Sequence, residues 1–365
     1  MEKLVKMNQL ELLKNTYKGT KVFLTGHTGF KGSWMTVLLK ELGAEVKGYA
    51  LAPEDEKDIY NALDKKEFES VIADLRERDK LENEIINFQP DFVFHLAAQP
   101  LVRLSYKIPA ETFEVNVIGT ANLLSAVQKL DKKCQVICIT TDKVYHNNEW
   151  IYPYRETDRL GGYDPYSASK AACEIVISCY KNSFFNTKDY VHHKKSIASV
   201  RAGNVIGGGD WSKDRLLPDI VNALSENRVI EVRNPNAVRP WQHVLEPVFG
   251  YLLLASKMVE DPIKYATAYN FGPSNSDNLS VKEILEIAIK SYGSGSYFIK
   301  EDENQPHEAG LLRLDISKVS NELNWKPRFT AAQAVDITIQ WYKNFNDGMA
   351  PVELINKDIQ KFINS

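Results

Sequence analysis

The sequence predicts an α/β protein: a doubly wound parallel sheet followed by a smaller C-terminal α/β domain. Three observations lead there. Short β-branched runs alternate with amphipathic stretches from residue 21 to residue 203. The runs are nearly continuous in apolar residues, as strands buried on both faces require. A loop with regularly spaced glycines joins the first run to the first amphipathic stretch.

The strand candidates are KVFLTG (21–26), AEVKGYAL (44–51), ESVIADL (69–75), DFVFHLAA (91–98), CQVICITT (134–141) and SIASVRAG (196–203). Between them lie helical stretches such as KGSWMTVLLKELG (31–43) and AETFEVNVIGTANLLSAVQKL (110–130). This alternation is that of βαβ units with helices on both faces of the sheet. After Gly203 the pattern loosens around Gly207-Gly208-Gly209. Helices are expected near 243–259 and 280–292, with a terminal one near 331–346. The expected division is an extension over 1–19, a first domain over 20–203, and a second over 204–365 with some segments returning to the first.

Composition excludes several classes. The chain has 365 residues, 45 basic and 48 acidic, for a net charge of −3. No basic excess points to nucleic acid. No apolar run approaches the roughly 20 residues of a spanning helix, so no membrane role is expected. The N-terminus mixes charges into its apolar residues and lacks a signal-peptide core, which predicts a cytoplasmic protein. Cys134 and Cys138 fall on a strand and Cys173 and Cys179 on a helix, at spacings that fit neither a redox pair nor a zinc site; buried thiols are expected.

The loop LTGHTGFKGSW carries Gly26, Gly29 and Gly32 between a strand and a helix. That context is a dinucleotide-binding fingerprint: the backbone turns tightly and meets a pyrophosphate at the helix N-terminus. Thr28, Phe30 and Lys31 complete the loop. The acid that would bind an adenosine 2′-hydroxyl is missing after Tyr49-Ala50-Leu51-Ala52, and Lys31 could attract a 2′-phosphate, so this stretch leaves NAD and NADP open. Asp74 either accepts from the adenine amino group or caps the helix that starts near Leu75.

DPYSASKAACEIV places Tyr166 and Lys170 four residues apart, on one face of a helix. A cation below a phenol favours phenolate, which makes Tyr166 a base. TTDKVY (140–145) ends the fifth strand with two hydroxyls, an acid and a base. Thr141 is expected to hydrogen-bond the hydroxyl on which Tyr166 acts. Asp142 and Lys143 both reach a substrate only if the strand has ended by Asp142, because successive strand residues point to opposite faces. Asn204, Arg239 and His307 are candidate substrate contacts, Arg239 through bidentate guanidinium binding of a diphosphate.

These motifs, with ADL (73–75), HLAAQ (95–99) and VRAGNV (200–205), resemble the extended short-chain dehydrogenase/reductases. More narrowly, GHTGFKGSW, GGYDPYSASKAACE, GGGDW and RPWQHVLEPVFGYLLLA resemble the CDP-glucose 4,6-dehydratase subfamily. The resemblance implies a Rossmann domain with bound NAD, a CDP-glucose substrate held by the C-terminal domain, and net loss of water in deoxysugar synthesis for surface polysaccharide. It adds Leu75, Leu96, Ala97 and Ala98 to the cofactor residues and Gln99 to the substrate residues. It implies Asp142 as acid at the C6 oxygen and Lys143 either as a neutral base at C5 or as a cation that stabilises the enolate, where the dTDP-glucose dehydratases carry an Asp-Glu pair. It also implies a homodimer through a four-helix bundle of 103–128 and 165–185, with a tetramer left open. Competing readings are another nucleotide-sugar 4,6-dehydratase, a nucleotide-sugar 4-epimerase and a non-catalytic NAD-binding regulator. Asp142-Lys143 disfavours the epimerase, and intact Tyr166, Lys170 and Thr141 disfavour the regulator.

Overall fold

Seven parallel strands form the centre of the molecule: β1 (Lys21–Thr25), β2 (Glu45–Ala50), β3 (Glu69–Ile72), β4 (Phe92–His95), β5 (Cys134–Ile139), β6 (Lys195–Ala202) and β7 (Ala268–Phe271). The computed structural model describes residues 2–212, 215–232, 234–300 and 311–365, with side chains from residue 9 onward. The strand order is β7-β6-β5-β4-β1-β2-β3. The chain reverses its direction of travel between β1 and β4, and in such sheets ligands bind at the carboxyl ends beside that switch point.

The strands alternate their side chains between two cores, as a pleat requires. Val22, Leu24, Phe92, Phe94, Ile137 and Ile139 face one core. Phe23, Val93, Val136 and Cys138 face the other, under helices Arg78–Phe88, Gly119–Gln128 and Pro165–Ser183. The first core is covered by Phe30–Glu41 and by C-terminal helices Leu245–Glu260, Ala331–Asn346 and Pro351–Asn364. Leu245–Glu260 is apolar almost all round, and a helix of that texture must be buried. The N-terminal helix Glu2–Tyr17 lies against it, with the Tyr17 hydroxyl donating to Leu252 O at 2.9 Å.

Several elements depart from the expected pattern. β7 adds a seventh strand on β6, and helices Leu216–Ser225 and Pro351–Asn364 were not foreseen. Among the described residues, the rest of the C-terminal part shows three short strand pairs and helices around them, among them Val281–Tyr292, which opens on a Ser280/Glu283 capping box. Cys134, Cys138 and Cys173 are buried as expected, but Cys179 is exposed because its place on Pro165–Ser183 faces solvent.

Candidate active site

The glycine loop leaves β1 at the switch point. Gly26 has φ +78°, and a Cβ there would meet Ala97 N at 2.7 Å, so the loop lies directly on the end of β4. A Cβ on Gly32 would meet Gly26 O at 2.0 Å, which fixes the close approach of helix to loop. No side chain caps helix Phe30–Glu41, whose N-terminus follows Gly29. Uncapped N–H groups at a helix N-terminus fit a pyrophosphate. Thr28 Oγ1 donates to Leu51 O at 2.9 Å, tying the loop to the end of β2. Leu96, Ala97 and Ala98 follow β4 beside it, with Ala97 N donating to Thr25 Oγ1 at 3.2 Å. Leu75 is buried under Gly119, and its carbonyl accepts from Asn122 Nδ2 at 3.0 Å.

Two residues on this side have neighbours that the sequence did not indicate. Lys31 does not turn towards the end of β2, where a 2′-phosphate would lie. Its ammonium sits 5.8 Å from the Tyr251 ring centre and in the fields of Arg215, Lys170 and Asp142. Burial, with Arg215 and Lys170, brings its pKa down to about 7. The Asp74 carboxylate is shared with Arg76: Arg76 Nε and Nη2 reach it at 3.0 and 2.7 Å, and Arg76 N donates to it at 2.8 Å. Arg76 holds the Asp74 carboxyl below its ordinary value. The helix beyond begins only at Arg78.

On the other side of the switch point β5 ends at Ile139. Thr141 is extended, and a single 3₁₀ turn, Asp142–Val144, follows. The strand has therefore ended before Asp142, and the turn lets consecutive residues share one side. Thr141 Oγ1 donates to Asp142 Oδ1 at 2.9 Å and accepts from Lys143 N at 3.4 Å. Asp142 is 2% exposed, and its Oδ2 has no hydrogen-bond partner among the described residues. Burial raises the Asp142 carboxyl, against the lowering fields of Lys143 and Arg239 and the Thr141 hydrogen bond. A buried carboxyl with a bare oxygen favours its protonated form.

Asp164 caps helix Pro165–Ser183, accepting from Ser167 N at 2.9 Å, and so sets Tyr166 in the first turn. The Tyr166 hydroxyl hydrogen-bonds Thr141, and burial pushes its pKa up to about 12. Thr141 and the Arg215 guanidinium oppose that rise. The expected cation was Lys170, but its ammonium donates to Ile139 O at 3.2 Å, and burial lowers its own pKa.

Arg215 is the residue that sequence reasoning missed. Its Nη1 donates to Asp210 Oδ2 at 2.9 Å, and its charge acts on both Tyr166 and Lys31. The signal was present: GGGDW ends one loop, and Arg215 stands immediately before helix Leu216–Ser225. Arg239 lies close enough to lower the Asp142 carboxyl. Asn204 is partly exposed at the end of β6, and its carbonyl accepts from Gln242 N at 3.0 Å. Gln99 differs from expectation. Its amide nitrogen donates to Thr112 Oγ1 at 2.9 Å and its Oε1 accepts from Leu101 N at 2.6 Å, so both ends brace its own loop. His307 lies outside the described residues.

A switch-point crevice with an uncapped helix N-terminus on one side and a Thr–Tyr–Lys group with a buried acid on the other defines a nucleotide-dependent enzyme of the extended dehydrogenase/dehydratase class. The chain belongs to the family described as GDP-mannose 4,6 dehydratase, which matches residues 23–338. It is 44% identical over 353 residues to the CDP-glucose 4,6-dehydratase of Salmonella typhimurium, covering 96% of this chain and 98% of that one. It is 26% identical to the CDP-paratose 2-epimerase of Salmonella typhi, over 88% of this chain and 98% of that one. In fold it is similar to the dTDP-glucose 4,6-dehydratase of Bacillus anthracis, crystallised in complex with NAD, with a TM-score of 0.74 and 21% identity over 92% of this chain and 100% of that one. The UDP-glucose 4-epimerase of Stenotrophomonas maltophila gives a TM-score of 0.77 at 21% identity, over 90% of this chain and 100% of that one.

Proposed function

We propose that this chain is an NAD-dependent hydro-lyase that converts CDP-D-glucose to CDP-4-dehydro-6-deoxy-D-glucose. One observation carries the choice of dehydration over epimerisation. A buried acid with a bare oxygen, Asp142, is followed by a lysine and shares Thr141 with Tyr166. Oxidation and reduction at C4 alone need no such pair. The 44% identity to a CDP-glucose 4,6-dehydratase supports the cytidine nucleotide.

Gly26, Thr28, Gly29, Phe30, Gly32, Leu75, Leu96, Ala97 and Ala98 hold the cofactor, with Tyr166 and Lys170 at its reactive end. NAD held there would supply a hydride acceptor at C4 and a hydride donor at C6. Tyr166 takes the C4 hydroxyl proton as the phenolate, the form that the Arg215 guanidinium and the Thr141 hydrogen bond favour against burial. The 4-ketone acidifies C5–H, Lys143 takes that proton, and Asp142 gives its own to the departing C6 oxygen, which leaves as water. Lys143 returns its proton to C5 as hydride reaches C6. The proton left on Tyr166 is the one Asp142 lacks, and Thr141 hydrogen-bonds both. Proton transfer through Thr141 therefore resets the site for the next turnover. Arg239, Asn204 and Arg215 face the diphosphate.

The enzyme acts as a homodimer. Tyr106, Phe113, Ile118 and Ile175 are exposed on the segment 103–118 and the Tyr166 helix. These two elements already pack together, with Asn116 Nδ2 donating to Ser169 Oγ at 2.8 Å. A second copy of the same pair would bury the four side chains in a four-helix bundle. A monomer by light scattering at micromolar concentration would contradict the dimer. The function is tested by incubating the protein with CDP-glucose, with UDP-, dTDP- and GDP-sugars in parallel. A 4-keto-6-deoxy product from CDP-glucose alone is expected; a C4 epimer, or no product, would overturn the reading.

A further inference from the structure

Beneath the site lies a buried polar network that the reaction above does not use. Glu174 is on the same helix as Tyr166 and Lys170, at i+8 and i+4 from them, and so on the same face. Its carboxylate is filled. Oε1 accepts from Thr140 Oγ1 at 2.6 Å and from Arg201 Nε at 2.9 Å, and Oε2 accepts from Arg201 Nη2 at 2.9 Å and Ser199 Oγ at 2.8 Å. Arg201, on β6, also donates from Nη1 to the Tyr145 hydroxyl at 2.8 Å. Tyr145 in turn donates to Asn270 Oδ1 on β7 at 2.7 Å.

The two points where this network grips the β5 loop are significant. Thr140 and Tyr145 immediately bracket Thr141-Asp142-Lys143-Val144. One buried carboxylate thus joins three things: the helix bearing Tyr166 and Lys170, the residue before the Asp142 turn, and, through Arg201, the residue after it. Burying so many polar groups is costly unless each is paired, and a fully paired network locks one geometry.

We infer that the Glu174–Arg201–Tyr145 network is a positioning device that sets the Asp142-Lys143 turn against Tyr166, so that oxidation at C4 and elimination across C5–C6 act on one sugar pose. This rests on the dehydratase reading. Tyr145 and Thr140 are positioning residues: their hydroxyls face Arg201 and Glu174 and touch no reacting atom in that scheme.

Tyr145→Phe removes only the hydroxyl. The ring keeps its stacking on Tyr154, at 5.2 Å and 15°, and its contact with the Arg201 guanidinium at 4.9 Å. Loosening the turn should slow elimination by about 10- to 100-fold, since misplacement by about 1 Å costs on that order. KM for CDP-glucose should hold. The first oxidation should survive, so mixing variant and CDP-glucose should raise the near-ultraviolet band of reduced nicotinamide, with little deuterium entering C5 from heavy water. Thr140→Val should show the same signature, and Thr140→Ser, which keeps the hydroxyl, should restore turnover. This pair decides the matter if Tyr145→Phe does not fold. Wild-type turnover in folded Tyr145→Phe and Thr140→Val, or loss of oxidation and elimination together without reduced cofactor, would overturn the inference. Failure of the unsubstituted enzyme to convert CDP-glucose would instead count against the dehydratase reading on which it rests.

Discussion

Two buried carboxylates sit at the end of β5, each held by one of two adjacent threonines, and they differ in one respect. Thr140 donates to Glu174, and every oxygen of that carboxylate is matched by Arg201, Ser199 or Thr140. Thr141 donates to Asp142, whose second oxygen has no partner among the described residues. Burial raises both groups. At Glu174 the arginine and the hydroxyls overcome it and leave the carboxyl below its ordinary value; at Asp142 burial prevails. A fully paired carboxylate is an anchor. A half-paired one is shifted towards its protonated form, as a proton donor needs.

The contrast can be broken most severely at the anchor. Glu174→Gln should leave Arg201 buried without its counter-charge and cost about 3–5 kcal/mol of stability, read as a lower denaturant midpoint. A loss below ~1 kcal/mol would mean that the pair contributes little to holding the fold.

The same substitution type should act in the opposite direction at Asp142. Its folded pKa is raised, so as pH climbs the unfolded chain releases this proton first. Wild-type stability therefore falls between the ordinary carboxylate pKa and the raised one. Asp142→Asn removes that loss. It should gain about 1 kcal/mol above the raised pKa, gain nothing well below the ordinary carboxylate range, and lose turnover at every pH. Thermal melts of both proteins across pH check the sign.

Features built from local spacing were legible in the sequence. The glycine loop is read from strand, turn and helix in succession, and Tyr166 and Lys170 from a four-residue interval on one helix. TTDKVY announced itself by placing charge where a core strand should end. What depended on the tertiary path was not legible. Lys31 turns to Tyr251, and Arg215 acts on Tyr166, which precedes it by a whole strand and helix. β7 is four residues long, and only its pairing with β6 marks it as a strand. Gln99 and Asp74 had the right chemistry and place, but Thr112, Leu101 and Arg76 already engage them. Helix Pro351–Asn364 is a different case: Ile355, Ile359 and Phe362 carry the helical interval, and that signal was there to be read.

On the proposed mechanism, Asp142 and Lys143 serve elimination while Tyr166 and Thr141 serve oxidation. Rapid mixing of Lys143→Met with CDP-glucose tests it directly. Turnover should fall by roughly 10²–10⁴-fold, while reduced nicotinamide accumulates and little solvent deuterium appears at C5. Tyr166→Phe, measured alongside, should show no such accumulation, because its defect precedes hydride transfer. Turnover of Lys143→Met near the wild-type rate would contradict the account and leave Lys143 as a bystander on the Asp142 turn.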